Sequence, residues 1–245
     1  MFRLAFLIVT LGLAACGKPV SVSSPSTEHP MRIVSLDFCA DQYVLKLADR
    51  DQILALSPDA TRAFSFMRDE AEGLPTVRSR AEDVLILKPD LVVRSYGGGP
   101  NAGDFFERAG VPVLQVGWAS SIDGQGVGTI SGVVAEMANG LGQAERGEDL
   151  IVEFTQRLER VKARAVQKTA LYMTPTGVTT GGNTMVHDVL LAAGLTNYSE
   201  KPGWHSLPLE RLAYDRPDLV AAAFYDTKTD HGNRWSAARH PIAKR

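Results

Sequence analysis

Short apolar runs alternate with helical patterns along the first half of the chain. The β-prone runs are Arg32–Leu36, Ile53–Leu56, Asp90–Val93 and Val111–Val116. Helices are predicted between them, beginning after the favourable N-cap residue Asp37 and covering Glu82–Leu87 and Phe105–Ala109. Strands that alternate with helices in this way indicate a parallel sheet with helices on its faces.

The strand pattern stops near residue 122 and resumes near residue 169. In between, the apolar residues of Ile130–Leu141 predict one amphipathic helix, and Gln143–Lys168 predicts a second that would rise about 39 Å. The α/β pattern then returns as strand Ala170–Met173, helix Thr184–Ala193, helix Leu209–Tyr214 and strand Asp218–Phe224. We therefore predict a first lobe over residues 31–121, connecting helices over 122–168 and a second lobe over 169–245.

A weak internal repeat supports this division into two lobes. Glu82, followed after six residues by Pro89-Asp90-Leu91-Val92, matches Glu210, followed after six residues by Pro217-Asp218-Leu219-Val220. Each copy predicts a helix, a proline stop and an apolar strand, and the copies lie on opposite sides of the long helix. Two α/β lobes leave a crevice at the carboxyl ends of their strands, where ligands usually bind.

Residues 1–15 have the pattern of a cleaved export signal. Leu4–Leu13 is an apolar run too short to span a bilayer, and it ends in Leu13-Ala14-Ala15-Cys16, which resembles the bacterial lipoprotein signal. We expect lipid on Cys16; the alternative is an ordinary secretory signal with an unrelated cysteine. Residues 16–30, rich in Ser, Pro and Thr, predict a flexible tether. Cys39 then has no disulfide partner and is expected to be a small buried residue.

Composition and motifs narrow the classes of function. The chain has 245 residues, 44% of them hydrophobic, and a formal net charge of −2, which argues against a nucleic-acid-binding protein. The sequence contains no Gly-x-Ser-x-Gly elbow and no dinucleotide or phosphate-loop fingerprint, and its histidines lack metal-site spacing. We therefore expect no catalytic residue, no metal held by the protein and no cofactor.

Many short segments carry, in order, a resemblance to one family. They include Cys39-Ala40-Asp41, Leu74–Val77, Leu87–Val93, Ala109–Val113, Leu191–Asn197, Leu207–Leu212 and His240-Pro241. Over residues 31–241 the chain resembles the periplasmic substrate-binding proteins of ABC importers for ferric siderophores, haem and cobalamin. The resemblance implies an α/β fold of two Rossmann-like lobes with parallel sheets, joined by a long rigid helix and closing only slightly on a ligand.

The resemblance also implies a partner and a ligand. The partner is an ABC permease with its ATPase, contacted through one acidic residue on each lobe, and the matching residues are Asp41 and Glu210. The alternative is that both carboxylates only stabilise helix N-termini. The ligand is a metal chelate, captured in the periplasm by a monomer anchored to the membrane through lipid. The family continues past His240-Pro241 with a strand and a helix, so we expect a shortened second lobe.

Aromatic and cationic residues near predicted strand ends are the candidates for the ligand site. Stacking faces and fixed positive charges suit an anionic chelate or macrocycle. The candidates are Tyr96, Trp118, Trp204, Tyr225, Arg62, Arg78, Arg80 and Arg94. The alternatives are core or surface packing for each aromatic residue and a solvated surface charge for each arginine.

Two other functions stay open on the sequence alone. One is a cell-envelope scaffold that has lost ligand binding, and the other is an extracytoplasmic enzyme. Turnover of a substrate would identify the enzyme, and the absence of any ligand-dependent shift in melting would favour the scaffold.

Overall fold

The computed structural model describes residues 29–122, 128–164, 166–208 and 210–222. The expectations for the export signal, Cys16, most of the tether, Tyr225 and the end of the second lobe lie outside these residues.

The first lobe is built on a four-stranded parallel sheet. Its strands are β1 (Ile33–Ser35), β2 (Ile53–Ala55), β3 (Leu91–Arg94) and β4 (Val113–Gln115). The order in the sheet is β2-β1-β3-β4, with β1 paired to both β2 and β3. Every residue of β1 and β3 is buried because these central strands are covered on both faces.

Helices cover the two faces of this sheet. They are α1 (Phe38–Leu47), α2 (Ala81–Ile86) and α3 (Ala102–Arg108). Val44 and Leu47 of α1 pack into one apolar cluster, whereas Val84 of α2 and Phe106 of α3 pack into a second cluster. The predicted parallel α/β architecture is confirmed.

Two antiparallel helices connect the lobes, namely α4 (Ile130–Gly140) and α5 (Ala144–Lys162). Val133 and Met137 of α4 join the cluster formed by α1, so α4 belongs to the core of the first lobe. With 19 residues, α5 rises about 28 Å. The prediction that this helix reaches Lys168 was wrong, because Lys168 already begins the next strand.

The second lobe contains a three-stranded parallel sheet and a two-stranded antiparallel ribbon. Its strands are β5 (Lys168–Met173), β6 (Val178–Thr180), β7 (Leu195–Asn197), β8 (Trp204–Ser206) and β9 (Leu219–Ala222). The sheet order is β7-β5-β9, and β6 pairs with β8. Helices α6 (Met185–Ala192) and α7 (Arg211–Tyr214) complete the described part.

The second lobe contacts the connecting segment through α6. The backbone N–H of Ile122 donates a hydrogen bond to the Asp188 carboxylate over 3.3 Å, and α5 packs beside α6. Among the helices of the described residues, none is both long enough and apolar enough to cross a membrane.

Candidate functional site

Aromatic side chains gather at one edge of the first lobe. Because β1 to β4 are parallel, the segments that follow them lie at the same edge. We call the aromatic residues of these segments the aromatic rim: Phe38, Phe64, Phe66, Tyr96 and Trp118. Trp118 is 86% exposed, Phe66 85% and Tyr96 56%, although large apolar side chains are normally buried. Of the five, only Tyr96 and Trp118 were predicted from the sequence.

Phe38 and Phe64 show how the rim is assembled from different segments. Their rings meet edge to face, with centroids 5.6 Å apart. The Arg62 guanidinium lies 5.9 Å from the centre of the Phe64 ring, within reach of a cation–π contact. The structure thus places the predicted residue Arg62 beside aromatic surface.

The carboxylate of Asp37 fixes the loop that carries Tyr96. One oxygen accepts the backbone N–H of Ala40 over 3.0 Å, which is the predicted helix cap. The other oxygen accepts three successive backbone N–H groups, from Ser95 (2.7 Å), Tyr96 (3.0 Å) and Gly97 (2.8 Å). Because Asp37 is 3% exposed, these bonds are shielded from water and hold the rim loop firmly.

Arg94 supports the same loop from below, and its prediction as a ligand residue was wrong. The side chain is buried, and it donates to the carbonyl oxygens of Gly97 over 2.9 Å and Gly99 over 2.8 Å. The guanidinium therefore donates its hydrogen bonds to loop carbonyl oxygens and not to a ligand. The loop also passes so close to β1 that a Cβ on Gly97 would lie 2.4 Å from the carbonyl oxygen of Leu36.

Asp41 lies in the protein interior, which contradicts its prediction as a docking residue. It is 0% exposed, and its carboxylate accepts the Ser57 N–H over 3.1 Å and the Ser57 hydroxyl over 2.6 Å. Burial raises the pKa of Asp41 to about 6, against the opposing effect of the Ser57 hydrogen bonds. Its role here is to tie α1 to the segment that follows β2, and it presents no charge to a partner.

Two titratable neighbours of these aspartates stay protonated near neutral pH. Partial burial, followed by the charge of Asp37, raises the pKa of Tyr96 to about 12, so its hydroxyl remains a hydrogen-bond donor. The same two causes raise the pKa of the Cys39 thiol. Cys39 is half-buried and free, so a reactive thiolate is disfavoured.

Two of the predicted arginines lie at the carboxyl edge of the first sheet. Thr76 bridges Leu56 in parallel, so the segment that follows Thr76 reaches the same edge as the rim. Arg78 and Arg80 are on that segment, and both are exposed. Arg78 forms an ion pair with Asp83 of α2 over 2.9 Å.

In the second lobe, the predicted aromatic residue Trp204 lies on β8. Its indole is 56% exposed and meets the ring of Tyr172 edge to face at 5.9 Å. Glu210 is exposed immediately before α7. Tyr225 lies outside the described residues.

The described histidines of the second lobe are held in internal hydrogen bonds. The side-chain amide of Asn197 donates to Nδ1 of His187 over 3.2 Å. Nδ1 of His205 donates to the Gly203 carbonyl over 3.1 Å, which leaves Nε2 to accept the Ser199 hydroxyl over 2.9 Å. Across the described ranges, no group of three His, Cys, Asp or Glu side chains could hold a metal ion.

The chain is similar in sequence or in fold to several proteins that are named as binding proteins. A curated cobalamin-binding protein of Halobacterium salinarum is 25% identical over 232 residues, which is 88% of this chain and only 62% of that protein. The solved structure of a periplasmic solute-binding protein from Staphylococcus epidermidis matches with a TM-score of 0.67 at 18% identity, covering 86% of this chain and 87% of that one. A periplasmic haem-binding protein from Pseudomonas aeruginosa matches with a TM-score of 0.64 at 23% identity, covering 88% and 77%.

The two structural likenesses establish the fold, two α/β lobes of the kind predicted. The family assignment rests on the sequence model of the periplasmic binding proteins, which matches residues 33–231. That range spans both lobes and the helices between them, and the chain therefore belongs to the periplasmic binding protein family.

Proposed function

We propose that this protein is the extracytoplasmic solute-binding component of an ABC importer and that it captures a metal chelate of the corrinoid, haem or ferric-siderophore class. The aromatic rim is the observation that carries the proposal. Rings as exposed as those of Phe66 and Trp118 cost free energy in water unless a ligand covers them. The curated relative named above is a cobalamin-binding protein.

The chemistry of the rim suits such a ligand. Aromatic faces contact a macrocycle or a catecholate ring without needing directional hydrogen bonds. Arg62, Arg78 and Arg80, all exposed, supply positive charge for carboxylate, phosphate or hydroxamate oxygens. Binding makes and breaks no covalent bond, so the free energy of capture comes from stacking, charge and displaced water.

A pre-formed rim would lower the entropic cost of capture. Asp37 and Arg94 fix the backbone of the Tyr96 loop, and Asp41 fixes the segment after β2 through Ser57. A loop that is already ordered loses little conformational freedom when a ligand arrives. These buried charges therefore support the site without contacting the ligand.

We propose that Glu82 and Glu210 are the carboxylates that contact the permease. Asp41 is buried, but the internal repeat pairs Glu210 with Glu82, and both are exposed at the start of a helix that leads to a strand. Equivalent positions on the two lobes would present one negative charge each. The protein acts as a monomer, and lipid on Cys16 keeps it at the membrane; mass spectrometry of the mature protein tests the lipid directly.

Equilibrium dialysis tests ligand capture. The purified protein is dialysed against cyanocobalamin, haemin and ferrichrome, and we expect saturable binding of one class. Phe66→Ser should weaken that binding about fivefold, because a stacking contact contributes on the order of 1 kcal/mol. Tyr214→Ser is the matched control, since Tyr214 is 92% exposed on α7 and outside the rim. Equal affinity in the two variants would contradict the rim as the ligand site.

A further inference from the structure

A second surface, which shares Trp118 with the aromatic rim, has the size of a ligand site. A groove of about 850 Å³ lies between the segment after β4 and the helices α4 and α5. Its walls are mainly apolar, and the volume falls within the range of pockets that hold small organic ligands. The groove is lined by residues that include Gly117, Trp118, Val133, Glu136, Glu148, Ile151 and Val152.

Two carboxylates face this groove from different helices. Glu136 comes from α4 and Glu148 from α5, and neither forms an ion pair or a hydrogen bond within the described part of the chain. Glu136 reaches the backbone beside Trp118, since a Cβ on Gly117 would lie 3.3 Å from its Oε2. Among the residues that the structure describes, the groove lining contains no lysine or arginine, so the charge contributed by these residues is negative.

We propose that this groove binds an apolar organic cation, a ligand distinct from the chelate. The exposed indole of Trp118 lines the groove and can contact a cationic group, and Glu136 and Glu148 supply opposite charge. Val133, Ile151 and Val152 contact the apolar body of the ligand. An anionic chelate is excluded by charge from this groove, whereas the arginines beside the rim attract it.

Three probes that share one apolar body but differ in charge test whether the groove prefers a cation. Isothermal titration calorimetry measures the binding of 1-adamantylammonium, 1-adamantanol and adamantane-1-carboxylate to the purified protein. The ammonium should bind at least about tenfold more tightly than the alcohol, and the carboxylate should bind most weakly. Equal affinity of the ammonium and the carboxylate would overturn the proposal.

Variants separate this groove from the chelate site. Glu136→Gln together with Glu148→Gln should weaken the ammonium probe at least about tenfold. Glu145→Gln, on the exposed first turn of α5 and outside the groove lining, should leave its affinity unchanged. Chelate affinity should be the same in all of these variants. A wrong groove assignment would therefore appear in the ammonium titration, and a wrong rim assignment would appear in the chelate-binding measurement. An unchanged ammonium affinity in the double variant would refute the assignment.

Discussion

At the residue scale, two buried aspartates, the α1 cap Asp37 and Asp41 within α1, bind backbone groups that are far away in sequence. The Asp37 carboxylate accepts one N–H from its own helix and three from the Tyr96 loop. The helix cap was predictable because it depends on neighbours along the chain. The loop contacts were not, since they join residues 58 to 60 positions apart. Asp41 and Arg94 were misjudged for a related reason, because charge in a sequence does not reveal burial.

Asp37→Ala should destabilise the fold strongly. The variant loses the helix cap and leaves buried backbone N–H groups without an acceptor, so we expect the free energy of unfolding to fall by about 3 kcal/mol. Urea unfolding measures this change. Asp104→Ala is the control: Asp104 is exposed in the first turn of α3, and its loss should cost less than about 1 kcal/mol. Similar losses in the two variants would contradict the role of Asp37.

Asp41→Asn should change how stability depends on pH. Burial raises the folded pKa of Asp41 to about 6 from 3.8, so its contribution to stability is full below pH 3.8 and is lost as pH rises through 6. Asparagine does not titrate, and it can still pair with Ser57. Relative to the unaltered protein, the variant should gain on the order of 2 kcal/mol between pH 4 and pH 7. A stability difference that stays constant over this interval would contradict the assignment.

At the element scale, the sequence predicted strands with apolar runs well and polar strands poorly. The strands of the first lobe were all anticipated, because Val, Ile and Leu dominate them. The ribbon of β6 and β8 was missed, since Val178-Thr179-Thr180 and Trp204-His205-Ser206 lack an apolar run. The end of α5 was placed too late because its helical pattern has no strong stop before the strand at Lys168.

Gly147→Ala should disrupt the packing of α4 against α5. A Cβ on Gly147 would lie 2.3 Å from Cβ of Ala138, so the helices must move apart. We expect a net loss of about 1–3 kcal/mol in unfolding free energy, despite the better helix propensity of alanine. In Gly103→Ala the new Cβ meets only the Arg94 tip at 3.5 Å, and stability should rise by up to about 1 kcal/mol. Thermal unfolding compares the two variants, and a stabilised Gly147→Ala would contradict this packing.

At the scale of the whole molecule, two lobes joined by helices carry surfaces of opposite charge. The rim of the first lobe is flanked by Arg62, Arg78 and Arg80, while the groove along α4 and α5 presents Glu136 and Glu148. The sequence predicted the two-lobed fold, and with it the edge at which part of the rim lies. It did not reveal the groove, because that surface is formed only when the segment after β4 packs beside two helices.

Reversing the proposed docking charges should separate transport from binding. Glu82→Lys with Glu210→Lys should abolish chelate uptake by cells that depend on this protein, because both lobes would then present positive charge where the proposed permease contact needs negative charge. Chelate affinity in dialysis should stay within about twofold. Glu107→Lys with Glu200→Lys changes the same number of exposed charges and should preserve uptake. Normal uptake in the first double variant would eliminate these carboxylates as docking residues.

The most direct test of the account is the thermal unfolding of the purified protein with and without a chelate. A ligand present at 100 times its Kd stabilises the folded state by about 2.7 kcal/mol. We predict such a shift with cyanocobalamin, haemin or ferrichrome, and a smaller stabilisation of about 1.8 kcal/mol at the same ligand concentration in Phe66→Ser, whose Kd is about fivefold higher. A cooperative transition that none of the three chelates shifts would contradict the central claim that this protein captures a metal chelate at its aromatic rim.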